Sequence, residues 1–245
     1  MDNIYSKELL ASNLVWVKER IADSAIQAGR NPADVQLVAV SKYVAYPVCQ
    51  QLVEVGATDL GESRPQLLAV KAQQAMENQI SVRWHQIGNL QTNKVKEILP
   101  FVSLIHSIAS ERLIDEIQKT AENLFPDRAP VDVLLEVNYE QEPNKTGVFP
   151  DQLKALLDHA LAQSRIHVRG LMTMAAWEST PEEARKTFAA VREIRDRLQT
   201  EYGTQADLSA LSMGMSGDFP EAILEGATLV RVGSRLFYDP DQPQD

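Results

Sequence analysis

The chain has 245 residues, of which 44% are hydrophobic and 24% are charged, and its formal net charge is −10. This is the composition of an ordinary globular protein, and the acidic balance argues against broad nucleic-acid binding and against adhesion to anionic membranes. No stretch approaches the roughly 20 apolar residues that a membrane helix needs, and the N-terminus lacks a signal-peptide pattern, so we expect a cytoplasmic protein. The single cysteine, Cys49, excludes an internal disulfide and is expected to be a buried structural thiol.

Helix and strand patterns alternate along the chain. A helix is predicted over 6–28, because apolar residues recur there at helical spacing and Gly29 can end it. Eight strands are predicted after it, at 35–42, 58–62, 82–88, 101–108, 131–138, 166–174, 207–213 and 228–233. The helices between them are predicted at 47–55, 64–78, 93–99, 110–124, 152–163, 180–202 and 220–225. Thr92, Ser110 and Thr180 are the expected N-caps of three of these helices.

This order of elements predicts the fold. Strict alternation of strand and helix implies parallel strands with helical crossovers, and eight repeats in a chain of this length favour a closed (β/α)8 TIM barrel with an extra N-terminal helix. An open doubly wound sheet is the alternative, although no Gly-x-Gly-x-x-Gly follows the first strand. We find no linker and no repeat, so we expect one domain over 1–245, with the N-terminal helix in 1–30, the barrel in 35–237 and a tail at 238–245.

In such a barrel, functional groups collect at the C-terminal ends of the strands. Lys42 ends the first strand, where its amine could form a Schiff base or simply extend into water. The segments 212–217 and 233–234 follow the seventh and eighth strands and are rich in glycine and serine. Such loops bring backbone N–H groups close to a phosphate, and barrels often bind phosphate at these two strand ends.

Arg231 lies inside the eighth strand between two valines, so its side chain is expected to point into the barrel. There it could form an ion pair with Glu136, or it could donate hydrogen bonds to a bound ligand. His85 and His106 are each expected to satisfy structural hydrogen bonds. Glu62 could act as a base, but solvation at the surface is the expectation.

The sequence contains no spacing typical of a metal site, no P-loop and no Gly-x-Ser-x-Gly elbow. A lysine for a Schiff base, a phosphate-binding pair of loops and an arginine for a ring nitrogen together describe a site for pyridoxal 5′-phosphate (PLP). Other lysine-using barrels exist, such as Schiff-base aldolases, but we expect their lysine on a later strand.

Several blocks of the sequence, in order, resemble the YggS/PROSC family of PLP homeostasis proteins. The resemblance covers about 35–237 and includes Ala-Val-Ser-Lys at 39–42, Trp-His-Gln-Ile-Gly-Asn-Leu-Gln-Thr-Asn-Lys at 84–94 and Leu-Ser-Met-Gly-Met-Ser at 211–216. It implies a fold type III PLP protein, similar to the N-terminal domain of alanine racemase and without that enzyme's C-terminal β domain.

The resemblance also implies roles for individual residues. Lys42 matches the lysine that forms the covalent aldimine with PLP, and Arg231 matches an arginine near the pyridine nitrogen. The other positions that match cofactor-binding residues are His85, Asn138, Ser212, Met213, Ser216, Gly233 and Ser234. Among them, the last three match phosphate-binding positions.

The function implied by the resemblance is to hold, buffer or deliver PLP, and so to influence vitamin B6 and amino-acid pools, without a known catalysed reaction. PLP-requiring apo-enzymes are the expected partners, and a monomer is expected. The alternative is a PLP-dependent racemase, which needs an acid and a base on opposite faces of its substrate. We can place only Lys42, and the eight residues after Phe237 leave no room for the domain that supplies the second base. A barrel without a cofactor, acting as a binding partner, is a third hypothesis that the convergent strand-end residues disfavour.

Overall fold

The computed structural model describes residues 5–239, in which eight parallel strands close into a barrel. The strands follow one another in chain order around the barrel, and the eighth pairs with the first. They are β1 (Gln36–Val40), β2 (Asp59–Glu62), β3 (Arg83–Gln86), β4 (Val102–Ile108), β5 (Val131–Val137), β6 (Ile166–Thr173), β7 (Ala210–Ser212) and β8 (Leu229–Val232). The predicted (β/α)8 barrel is therefore confirmed, and the open sheet is excluded.

Helices cover the outside of this barrel, one before β1 and the others between successive strands. They are α1 (Lys7–Gln27), α2 (Tyr46–Glu54), α3 (Pro65–Glu77), α4 (Val95–Ile98), α5 (Glu111–Leu124), α6 (Leu153–Leu161), α7 (Pro181–Tyr202) and α8 (Phe219–Leu224). Short 3-10 turns lie at Pro32–Asp34, Thr92–Lys94, Gly203–Gln205 and Ser234–Phe237. The part of the predicted tail beyond Asp239 lies outside the described residues, as do residues 1–4. No helix between residues 5 and 239 is long and apolar enough to cross a membrane.

Two of the three predicted helix caps are present. The Ser110 side chain accepts a hydrogen bond from the N–H of Leu113, and Thr180 forms a reciprocal capping box with Glu183. The predicted cap at Thr92 is wrong. This residue is instead the first of a 3-10 turn, and α4 starts three residues later without a side-chain cap.

Side chains alternate between two layers along each strand. One set packs between the sheet and the helices and forms the main core, which includes Val230 and Val232. The opposite set fills the barrel, where Val38, Leu134 and Met172 belong to a smaller apolar cluster. Six buried residues of the strands point the same way but are polar: they are Asp59, His85, His106, Glu136, Ser212 and Arg231. The barrel interior thus contains both apolar and polar groups, and the buried polar groups need hydrogen-bond partners.

Candidate functional site

Lys42 follows β1 at the C-terminal mouth of the barrel, and its side chain is exposed. Its Nζ lies 4.9 Å from the centre of the Tyr43 ring, which is itself 85% exposed. Among the described residues, no carboxylate lies within 4.0 Å of this amine. Lys42 is therefore an amine without an ion-pair partner, and such an amine is available to react.

The residue before Lys42 is held rigidly. The Ser41 N–H and hydroxyl both donate to the carbonyl of Gly61 in β2, at 2.8 and 3.3 Å. The Ser41 carbonyl accepts a hydrogen bond from Lys71 Nζ of α3 at 2.9 Å. Three hydrogen bonds to two different elements therefore fix the backbone from which the Lys42 side chain starts.

Lys71 belongs to a buried ion pair with Glu62. Its Nζ lies 2.5 Å from Glu62 Oε2, and the side chains of Lys71 and Glu62 are 6% and 0% exposed. Glu62 Oε1 accepts the backbone N–H groups of Ser63 and Arg64. The expectation that Glu62 is solvated at the surface is therefore wrong, because the packing of α3 against the barrel covers it and supplies its counter-ion.

The loops after β7 and β8, which the sequence predicts to bind phosphate, adjoin. The N–H of Gly233 donates to Ser216 Oγ at 3.0 Å, which joins the two loops directly. Gly217 is exposed, and a methyl group added to it would meet only open space. Ser234 starts a 3-10 turn, so its N–H has no acceptor inside that turn. Hydroxyl and backbone N–H donors around an open space suit an anion such as a phosphate.

Arg231 is 4% exposed and points into the barrel, as predicted. Its Nη1 donates to Ser212 Oγ at 2.6 Å and its Nη2 donates to the carbonyl of Thr173 at 3.0 Å. The ion pair with Glu136 is not formed, since no carboxylate of the described chain lies within 4.0 Å of this guanidinium and Glu136 instead accepts the Thr146 hydroxyl. Burial lowers the pKa of Arg231 to about 10, so the group remains a cation at neutral pH.

A line of buried hydrogen bonds continues from Arg231 across the barrel. Ser212 Oγ lies 2.8 Å from His106 Nδ1, and His106 Nε2 lies 2.9 Å from His85 Nδ1. His85 Nε2 in turn lies 2.9 Å from Asp59 Oδ1. His85 and Ser212 are therefore part of the interior network that reaches Arg231. Burial is the main cause that holds the pKa of His106 well below its usual value, and the positive charge of Arg231 acts in the same direction.

Two predicted site residues point elsewhere. The Asn138 amide is used within its own loop, where it donates to the carbonyl of Glu142 and accepts the N–H of the same residue. The Met213 side chain is buried in the core between sheet and helices. Near Asn138, Lys145 Nζ donates to the carbonyl of Ala175 and so joins the loops after β5 and β6.

A cavity of about 400 Å³ opens between those two loops and α7, lined among others by Tyr139, Trp177 and Thr187. None of the residues predicted from the sequence lines it. The chemistry of the predicted site lies instead at the ends of β1, β7 and β8.

Sequence reasoning missed Lys71 and Asp59. A signal for Lys71 exists, because it falls on the apolar face of α3 formed by Leu68, Ala72 and Ala75. A lysine on such a face requires a buried partner. Asp59 is the first residue of β2 and lies at the opposite end of the barrel from Lys42, where no functional group is expected.

Comparison with known proteins identifies the family. Residues 17–240 match the family model described as alanine racemase, N-terminal domain. The chain is 43% identical over 221 residues to the pyridoxal phosphate homeostasis protein of Aquifex aeolicus, covering 90% of this chain and 94% of that protein. It is 35% identical to the protein of the same name from Pseudomonas aeruginosa, covering 93% and 94%.

A solved structure of PipY from Synechococcus elongatus with PLP bound is similar to this one. The TM-score is 0.78 at 32% identity, and the match covers 91% of this chain and 100% of PipY. The family predicted from the sequence is confirmed: the chain belongs to the alanine racemase N-terminal domain family and, within it, to the pyridoxal phosphate homeostasis proteins.

Proposed function

We propose that this protein binds PLP through Lys42 and holds it for the cell's PLP and amino-acid homeostasis. The main support for this proposal is the position of three features on neighbouring strands. β8 pairs with both β1 and β7, so the unpaired Lys42 amine, the Arg231 cation and the joined loops of Ser216 and Gly233 stand on three adjacent strands. Adjacent strands lie about 4.8 Å apart, so the three features can contact one small phosphorylated ring together.

Each feature meets a different part of PLP. The Lys42 amine condenses with the aldehyde, which forms an imine and releases water. The Ser216 hydroxyl and the N–H groups of Gly233 and Ser234 donate to the phosphate. Arg231 faces the pyridine nitrogen as a cation. The other predicted residues support these contacts indirectly. His85 and Ser212 belong to the hydrogen bonds that reach Arg231, Asn138 holds the loop after β5 and Met213 packs in the core directly after β7.

We propose that binding, without a catalysed reaction, is the function. Relatives from Aquifex aeolicus and Pseudomonas aeruginosa are named homeostasis proteins, and PipY carries PLP in its structure. Arg231 supports this reading chemically. A guanidinium retains its proton, so it does not protonate the ring nitrogen, and an unprotonated ring withdraws electrons weakly. Racemase activity would appear as exchange of the amino-acid α-proton in D2O, and we expect none above the rate with free PLP.

A PLP titration tests the binding proposal. The wild-type protein should develop a visible absorption band that saturates at one PLP per chain, and Lys42→Ala should not. Lys119→Ala is the matched control, since Lys119 is an exposed lysine on α5 away from the barrel mouth. An unchanged band in Lys42→Ala, or no band in the wild-type protein, would refute the proposal.

We further propose that a monomer of one domain, comprising residues 1–30, 35–237 and 238–245 as predicted, delivers PLP to PLP-requiring apo-enzymes in the cytoplasm. Direct delivery requires that transfer be faster than release of PLP into solution. The rate of transfer to an apo-enzyme should therefore rise with apo-enzyme concentration beyond the release rate measured with a PLP scavenger. A rate that stays at the release rate would show that PLP passes through solution.

A further inference from the structure

The line of hydrogen bonds runs from Arg231 to Asp59, and each of these two residues has a fixed role as donor or acceptor. A guanidinium can only donate, and an ionised carboxylate can only accept. Asp59 is kept ionised by its surroundings: Arg83 Nε and Nη2 donate to its two oxygens at 2.6 and 2.8 Å, and Gln36 and Thr58 each donate at 2.7 Å. Hydrogen bonds from His85 and Arg83 hold the pKa of this carboxyl well below its usual value, although burial opposes them.

For two neutral imidazoles, these ends assign every proton between them. His85 has to present an N–H to Asp59, so its one proton is on Nε2 and its Nδ1 is an acceptor. His106 then donates from Nε2 to His85 Nδ1, and its own Nδ1 accepts the Ser212 hydroxyl proton. Ser212 Oγ in turn accepts from Arg231. All four bonds then run in one direction, from Arg231 to Asp59, and each imidazole carries its proton on Nε2.

We propose that Asp59 is a positioning residue that orients the Arg231 guanidinium by fixing the tautomers of His85 and His106. Asp59 lies at the N-terminal end of β2, whereas Arg231 lies near the C-terminal end of β8, so the effect crosses the barrel interior. If His85 carried its proton on Nδ1, its Nε2 lone pair would face the carboxylate. His106 would then have to donate to Ser212, whose own proton would lose its acceptor. The Arg231 contact would no longer have a single geometry.

The proposal depends on the proposed function only in that Arg231 contacts PLP. Two measurements distinguish a failure of the tautomer assignment from a failure of PLP binding. The first is the ¹⁵N NMR spectrum of the PLP-free protein labelled at its four histidines. His85 and His106 should each show a protonated Nε2 and a bare Nδ1 at pH 7, with the surface residues His159 and His167 as internal references. A protonated Nδ1 on either buried histidine would overturn the assignment, whether or not the protein binds PLP.

The second readout is PLP affinity in variants. Asp59→Leu should give mixed tautomers and bind PLP about tenfold more weakly, the loss expected for one misplaced charge-assisted hydrogen bond. This variant should fold, because Gln36, Thr58 and Arg83 are at least partly exposed and can turn to water. If it does not fold, Asp59→Ala serves, with the same expectation, because alanine also has no acceptor for His85.

Two further variants test the direction of the effect. Thr58→Ala removes one Asp59 contact while both Arg83 donors remain, and it should leave tautomers and affinity unchanged. Ser212→Ala should keep both Nε2–H tautomers, which Asp59 still fixes. It should nevertheless lose about tenfold in affinity, because Arg231 Nη1 has lost its acceptor and only the Nη2 bond to Thr173 remains. An Asp59→Leu protein with wild-type tautomers and wild-type affinity, destabilised only, would reduce Asp59 to a structural residue and overturn the proposal.

Discussion

Replacing Lys71 with methionine should destabilise the protein by about 4 kcal/mol. Lys71 Nζ lies 2.5 Å from Glu62 Oε2 and 2.9 Å from the Ser41 carbonyl, and both charged side chains are buried. Removing one partner of a buried ion pair costs about 3–5 kcal/mol, because the remaining charge stays buried without compensation. We take the middle of this range, since Glu62 keeps two backbone N–H donors while the Ser41 carbonyl loses its donor.

Urea denaturation measures this loss directly, and thermal unfolding gives a second value. With about 2.1 cal/mol/K of unfolding entropy per residue over 245 residues, each kcal/mol lowers Tm by about 2 °C, so Lys71→Met should melt about 8 °C lower. The double variant Lys71→Met/Glu62→Gln removes the unpaired charge and should recover about 2 kcal/mol. Lys119→Met, at an exposed position, should stay within about 0.5 kcal/mol of the wild-type protein.

Two results would refute this reasoning. One is a loss below about 1 kcal/mol in Lys71→Met, which would mean that the pair is solvated. The other is a double variant as unstable as the single one, which would mean that packing around the lysine stem, not the charge, carries the effect.

Three further changes have defined outcomes. Lowering the pH from 7 to 5 should reduce the free energy of unfolding by up to about 1.4 kcal/mol for each pH unit below about 6.5. The reason is that buried His106 stays neutral while the same histidine gains a proton in the unfolded chain. Equal urea midpoints at both pH values would contradict this. Thr180→Ala should lower Tm by about 2 °C through loss of an N-cap worth about 1 kcal/mol, whereas Ser179→Ala should not. Gly214→Ala should strongly lower the free energy of unfolding measured in urea, because φ is +90° and the new methyl would lie 2.6 Å from Ala222 Cβ. Gly217→Ala should be tolerated, because a methyl group there meets open space. Equal stabilities of the two variants would contradict the clash.

The fold could be predicted because local patterns and topology agree. Eight buried strand segments alternate with helices, and only a closed parallel barrel satisfies that order at this length. The main misjudged strand is the seventh, predicted over 207–213 but confined to Ala210–Ser212. Asp207 accepts the N–H of Ser209 in a local turn, and Arg195 binds the carbonyls of Leu208 and Ser209, so these groups are not free to pair with a neighbouring strand.

The site could be predicted only in part. Lys42, Ser216 and Arg231 could be proposed from the sequence because strand ends in a barrel meet at one edge, so position in the chain indicates position at that edge. The residues that hold these side chains in place follow no such rule. Lys71 meets Ser41 only through the packing of α3. Asp59 reaches Arg231 through residues of three other strands, β3, β4 and β7. Contacts of this kind depend on side-chain directions in three dimensions, which periodicity does not specify.

Borohydride reduction of the PLP-loaded protein, followed by peptide mapping, tests most directly whether Lys42 anchors PLP. Reduction fixes an imine as a stable secondary amine on the lysine that formed it. We predict one pyridoxyl phosphate group per chain, on the peptide that contains Lys42, and none on that peptide when the protein is first stripped of PLP. A label on another lysine, such as Lys145 at the barrel mouth, or bound PLP that leaves no label after reduction, would contradict the assignment of Lys42 as the anchor.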